Sequence, residues 1–273
     1  MHLSHLSYAI WIVTTGLAIS VCALAYRRGL RRRLPIFTAY LTLAVAASGL
    51  RWVVYGIFGF GSWTAYDAAW ISNAVLLAAR GLAIGELCFC LLGAYRGVWA
   101  LARRILLGVS FVFLLHAGLE SAFRRFWLGT FVMALDRDLE LTATAVLVAM
   151  LLISRYYTLE MDQLERAIAA GLCIFSATAA IANALLMQGF ATHLPSWHGY
   201  RAWIDHAQSR WNSAQGLATV CILVLWAAVL RQQFPTVRPA PVLLPFSAYR
   251  EHSEASNITL RALDARLLEM LEP

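Results

Sequence analysis

The sequence predicts an all-α, polytopic membrane bundle of seven transmembrane helices, with the N-terminus outside and the C-terminus inside. Three observations carry that prediction. Hydrophobic residues make up 60% of the 273 and charged residues only 14%, and the mean hydropathy of +0.65 exceeds what a water-soluble domain tolerates. Apolar stretches of about 18 residues or more recur along the chain, each long enough to cross a hydrocarbon core of roughly 30 Å as a helix. Arginines crowd alternate inter-helix segments, which orients the bundle. Backbone N–H and C=O groups find no water in lipid, so such spans are helical.

The first helix is predicted over residues 8–26, the second over 36–59, the third over 70–95 and the fourth over 104–122. The fifth is interrupted. Its first apolar run, Phe126 to Leu135, is too short to span and reads as interfacial, then Asp136, Arg137, Asp138 and Glu140 break it before a proper span resumes to about Tyr157. The sixth and seventh helices are predicted over 167–189 and 211–231. Residues 1–234 thus form the transmembrane domain, and 235–273 a cytoplasmic segment. That segment opens with a linker containing Pro235, Pro239, Pro241 and Pro245. It closes with a short amphipathic helix, capped by Ser256 or Asn257, whose stripe is Leu260, Leu263, Leu267, Met270 and Leu271.

Arg27, Arg28, Arg31, Arg32 and Arg33 follow the first helix, and Arg96, Arg103 and Arg104 follow the third, which assigns those segments to the cytoplasm. Arg155, Arg166 and Arg231 agree, whereas Arg124, Arg125, Arg201 and Arg210 fall on the other side. Ala23, Leu24 and Ala25 resemble a signal cleavage site, but no arginine precedes the apolar run and several follow it at once, the pattern of an uncleaved anchor. Trp63, Tyr66, Trp70, Trp197, Tyr200 and Trp203 are expected at the outer interface, and Trp99, Tyr156 and Tyr157 at the inner one.

Composition excludes several functions. All 22 basic residues are arginine, so mechanisms that need a lysine Schiff base or nucleophile are absent, retinal chemistry included. The net charge of +7 sits mainly at span ends, where it serves topology and anionic headgroups rather than nucleic acid. Five cysteines, all within apolar spans, read as core-filling residues, and the separation of Cys88 from Cys90 by one residue points them to different sides of a helix.

An ionisable side chain inside a span costs roughly 2.5–3.5 kcal/mol on insertion scales, so each one is a functional candidate. Arg51, Arg80, Glu86, His116, Glu120 and Asn183 are the candidates for ligand binding. Glu86 lies ten residues from Arg96, too deep to snorkel, and must be protonated, paired or facing a wet cavity. Arg80, six residues earlier, cannot pair with it along the helix, so each needs a partner elsewhere. Arg51 sits nearer its span's outer end and can snorkel. Gly81, Gly85, Gly93 and Gly97 give the small-residue spacing that lets helices approach, which places the third helix centrally. His116 and Glu120 share one helix face, a spacing suited to a hydrogen bond, a proton relay or a metal. A zinc site would need further ligands from Asp136, Asp138, His193, His198 or His206. No metal or other cofactor is predicted. With Gln188, Asn212 and Gln215, most of these polar groups lie in the outer half, which predicts a cavity opening outward, lined by Arg51, Arg80, His116, Glu120 and Asn183.

The stretch RRRLPIFTAYL, a Tyr- and Trp-containing outer segment and then LAIGELCFCLLGAYRG resemble a family of uncharacterised bacterial seven-helix membrane proteins. The resemblance covers about the first four helices and implies the fold and a bacterial inner membrane. In outline the chain is also similar to seven-helix sensor modules fused to signalling domains, although the tail is too small to be an effector enzyme. The functional expectation is a non-enzymatic sensor or binding module with an outward polar pocket for a small polar or anionic ligand. Its C-terminal helix docks on a protein partner or on the bundle itself. Alternatives are a small-solute transporter with a proton-coupled Glu86, an accessory subunit of a membrane complex, and a metal-dependent intramembrane hydrolase using His116 and Glu120.

Overall fold

The computed structural model describes residues 5–59, 62–93, 95–122, 127–156, 161–193, 197–232, 258–267 and 269–270, with the backbone alone for 5–7 and 186–213. The elements are α1 (His5–Arg27), α2 (Leu30–Arg33), α3 (Pro35–Phe58), α4 (Trp63–Leu92), α5 (Arg96–Ser121), α6 (Trp127–Tyr156), α7 (Gln163–His193), α8 (Trp197–Arg231) and a C-terminal α9 over 258–267. Among the described residues there is no strand. Seven of these helices, all but the one-turn α2 and α9, are long and apolar enough to cross a membrane. The protein is a multi-pass helical membrane bundle.

Several helices outrun the predicted spans because their ends are polar and interfacial rather than absent. α4 begins at Trp63, where the Ser62 hydroxyl accepts the Ala65 N–H at 3.1 Å, so Trp63, Tyr66 and Trp70 line its first turns. At 30 residues, α4 and α6 are each roughly 45 Å long and project beyond the hydrocarbon core. α8 likewise starts at Trp197, well before the predicted 211.

The largest departure concerns α6. Instead of an interfacial run followed by a break, Trp127–Tyr156 is one continuous helix, and Asp136 and Glu140 are buried inside the bundle. A helix tolerates such a charged run when successive side chains, turned about 100° from one another, each meet a partner on a different neighbour. α6 packs against α4, α5 and α7 and supplies all three.

The helices α1, α3, α4, α6, α7 and α8 close a ring, in which α4 meets α3 and α6, α7 meets α6 and α8, and α1 meets α8 and α3. α5 stands outside that ring, leaning mainly on α6, with Phe111, Val112, Leu115 and Leu119 facing outward. The packed apolar core lies toward the arginine-rich end. There Phe37, Leu87, Leu147, Ile168 and Leu172 are fully buried, and the Trp226 indole stacks edge-on against Phe37 at 5.2 Å. Gly171 makes room for that indole, whose Nε1–H donates to the Ala167 carbonyl at 3.1 Å.

The same end is closed by contacts from distant parts of the chain. Arg33 pairs with Asp162 and, at 2.7 Å, with Glu165. Partial burial draws the Arg33 guanidinium down, but the two carboxylates outweigh it and hold it above its ordinary value. Arg28 donates to the Arg231 carbonyl at 2.9 Å, finishing α8. α9 docks here too, because α5 starts without a side-chain cap of its own. Asp264 accepts the Gly97 and Val98 N–H groups at 2.7 and 3.0 Å. Gly97 is required at this approach, since a Cβ there would strike the Asp264 backbone and crowd Leu267. The docked face is thus Leu260, Asp264 and Leu267, while Leu263 and Met270, expected on the same stripe, are exposed. The proline linker, Leu271 and the predicted caps Ser256 and Asn257 lie outside the described residues.

Replacing Asp264 by Ala is expected to cost about 1 kcal/mol of local stability. It should speed hydrogen exchange at Gly97 and Val98 while leaving exchange in α6 and α7 unchanged.

Candidate functional site

Charges that cross a bilayer's interior persist where protein supplies the solvation that lipid cannot. Arg80, near the middle of α4, is buried and forms an ion pair with Glu140, near the middle of α6 and only 1% exposed. The Arg80 guanidinium also lies 4.2 Å over the Phe175 ring of α7, and the Tyr40 hydroxyl of α3 is within its reach. One turn from Glu140, Asp136 accepts the Asn183 side-chain N–H of α7 at 2.6 Å. Ser176, fully buried on α7, stands beside Glu140. A single polar cluster therefore ties α3, α4, α6 and α7 together. Arg80 Nε, Asp136 Oδ1, Glu140 Oε2 and Ser176 Oγ are buried without a well-formed hydrogen bond among the described residues.

The other predicted residues go elsewhere. Glu86 does not pair with Arg80, whose carboxylate partner is Glu140. The two carboxylate oxygens of Glu86 accept the Ile36 and Phe37 N–H groups at 3.0 and 2.8 Å. α3 begins with Pro35 after Leu34, which offers no side-chain cap, so a carboxylate from α4 neutralises the exposed amides and the positive end of the helix dipole. His116 contacts Asp138 at 3.0 Å, and Glu120 lies 3.7 Å from Arg137, which itself holds Asp138 at 2.7 Å. These four residues form a partly exposed seam between α5 and α6. Among the described residues no group of three or more His, Cys, Asp or Glu side chains is placed to hold a metal ion. Arg51 donates from Nε to the Ser72 hydroxyl at 2.8 Å and points Nη2 toward the Ala69 carbonyl at 3.4 Å.

The expected cavity lined jointly by Arg51, Arg80, His116, Glu120 and Asn183 is thus divided into separate places. Arg80 and Asn183 belong to one buried cluster, His116 and Glu120 to the peripheral α5–α6 seam, and Arg51 to an open cleft of about 160 Å³ with Ala69, Trp70 and Asn73. That cleft is at the end of the bundle opposite the arginine-rich one. Nearby, the Gly129 N–H donates to the Tyr66 hydroxyl at 3.1 Å, pinning the start of α4 to the start of α6.

Neither family profiles, curated proteins nor solved structures yield a match to the chain. The chemistry must therefore be read from the geometry. Arg51 has no carboxylate partner among the described residues, and its two bonds go to neutral oxygens, so its positive charge remains uncompensated beside an accessible cleft. In the central cluster the imbalance is the reverse, with two carboxylates against one guanidinium.

Asp136 and Glu140 are the residues that sequence reasoning placed wrongly, as a break in a span. Their spacing of four, with Arg80 in need of a partner, was the available signal. Tyr40 and Ser176 gave none, because a tyrosine and a serine in an apolar helix are unremarkable.

Truncating Asp136 and Glu140 together to Ala should leave Arg80 buried and unpaired, at a cost of about 3–5 kcal/mol in detergent unfolding. Adding Arg80→Met to that pair should recover much of the loss. Glu86→Gln keeps an acceptor but loses the charge at the start of α3, and is expected to cost about 0.3–1 kcal/mol in the same assay.

Proposed function

We propose that this protein is a non-enzymatic sensor or binding module of the bacterial inner membrane, with the arginine-rich end in the cytoplasm. Its ligand is a small anion entering from the outer side. The observation that carries this reading is the Arg51 guanidinium, which lines the outer cleft with only neutral partners among the described residues. A carboxylate or phosphate oxygen would complete its hydrogen bonds and neutralise it, with Asn73 and the Trp70 ring at hand to orient the remainder. The cleft, at about 160 Å³, suits a compact anion rather than a drug-sized molecule.

The route to the cytoplasmic face follows from what α4 touches. Ser72 and Ala69, the partners of Arg51, stand on α4 above Arg80, which joins α6, and above Glu86, which caps α3. An anion that draws Arg51 away from Ser72 loosens the α3–α4 contact at one end of a helix whose other contacts reach the arginine-rich end. The docked α9, held to the start of α5 by Asp264, is an exposed element there for a protein partner to read. Membership in the bacterial seven-helix family that RRRLPIFTAYL and LAIGELCFCLLGAYRG resemble is part of the same reading.

Thermal unfolding of the purified protein in detergent, run against inorganic phosphate and short carboxylates, tests it. At least one anion should raise the melting temperature, and Arg51→Gln should abolish the rise while Arg137→Gln preserves it. A flat response across the anions, or one that survives Arg51→Gln, overturns the reading.

A further inference from the structure

The central cluster holds an imbalance that the Arg51 cleft does not explain. Counting ionised side chains, Arg80 contributes one positive charge while Asp136 and Glu140 contribute two negative ones, within the middle of the bundle. Among the described residues, the groups that face this cluster do not restore neutrality. From α3 comes Tyr40, reaching Arg80. From α4 comes Arg80 itself, and from α7 come the neutral Ser176, Asn183 and Phe175. On α5, His116 and Glu120 face Asp138 and Arg137 instead, on another side of α6. Of the two arginines on α6, Arg137 is turned to the α5 seam and Arg155 lies in the last turn, about four turns from Glu140.

The hydrogen-bond inventory points the same way. Among the described residues, Asp136 Oδ1 and Glu140 Oε2 are buried acceptors with no donor of good geometry, and the fully buried Ser176 hydroxyl beside Glu140 has no partner of good geometry. Added charge in a medium that solvates it poorly is costly, and an acceptor with no donor is costly too. One proton on a carboxyl oxygen removes both defects at once. It cancels the surplus negative charge and turns an acceptor into a donor.

We propose that Asp136 and Glu140 form a proton-binding site, holding one proton between them while Arg80 neutralises the remaining carboxylate. The proton belongs to the pair, since either acid can be the partner of Arg80. Glu86, capped onto α3, is not the proton site. Release of the proton leaves two carboxylates competing for one guanidinium across the α4–α6–α7 contacts, and so converts proton occupancy into helix packing. This site does not depend on the anion reading of Arg51.

Infrared spectroscopy of the full chain in lipid nanodiscs tests the site directly, because a protonated carboxyl has a carbonyl stretch above the amide band that shifts in D₂O. At a pH where exposed carboxylates are ionised, the wild-type protein should retain one such band. Asp136→Asn should remove it, since Glu140 then pairs with Arg80 as a carboxylate. Glu140→Gln should remove it as well, since Asp136 then takes that role. Asp138→Asn and Glu86→Gln should leave it intact. No carboxyl band in the wild type, a band surviving both Asp136→Asn and Glu140→Gln, or a band lost in Asp138→Asn each overturns the proposal. So does stabilisation by sodium over choline chloride without a carboxyl band, which would assign the site to a metal cation. Because the wild-type spectrum alone decides the first outcome, a variant that fails to fold does not protect the idea.

Discussion

The ion pair between Arg80 and Glu140 sets the terms for the rest of the bundle. Lipid offers neither charge any solvation, so each helix that surrounds them must contribute something: the aromatic face of Phe175, the Tyr40 hydroxyl, the Ser176 hydroxyl and, for the adjacent Asp136, the Asn183 amide. Four helices are thereby fixed in rotation about their own axes. Apolar contacts alone specify rotation weakly in a membrane, where one aliphatic face packs against lipid about as well as another.

The helix ends follow a related logic. α3 and α5 both begin without a local cap, and both receive a carboxylate from elsewhere, Glu86 from α4 and Asp264 from α9. In each case an acid serves because the start of a helix presents unpaired amides and the positive end of its dipole. These two caps, with the Arg33 pairs to Asp162 and Glu165, gather distant parts of the chain at the arginine-rich end, beside the densest apolar core. At the opposite end, among the described residues, the Arg51 guanidinium lines a cleft with Ala69, Trp70 and Asn73.

Among the described residues, α4 runs from the Arg51 cleft through the ionic centre to the packed core at the arginine-rich end. Arg51 acts on it through Ser72, Arg80 fastens it to α6, and Glu86 anchors it to α3. A local change is felt at a distance only where a rigid element has more than one set of partners, and α4 has three. The peripheral α5 joins the ring through the His116–Asp138 and Glu120–Arg137 seam and through Phe113 and Ala117, which pack with Leu77 of α4 and with Ala134 and Leu135 of α6.

Seven spans, the central place of α4, and the need of Arg80 and Glu86 for partners on other helices were all legible in the residues. Hydropathy and the cost of burying charge are local properties that a sequence carries in full. Partner identity was not legible. Nothing in the order Asp136, Arg137, Asp138, Glu140 says that the run divides among three neighbouring helices, so it resembled a break until α4, α5 and α7 were in place around it. Glu86 likewise looked like a functional acid in a span, because the amides it caps lie about fifty residues away and become its neighbours only when α3 packs on α4. Composition determined that these charges had to be satisfied inside the protein. Only the packing of the helices decided by which groups, because a hydrogen bond depends on position and direction in three dimensions.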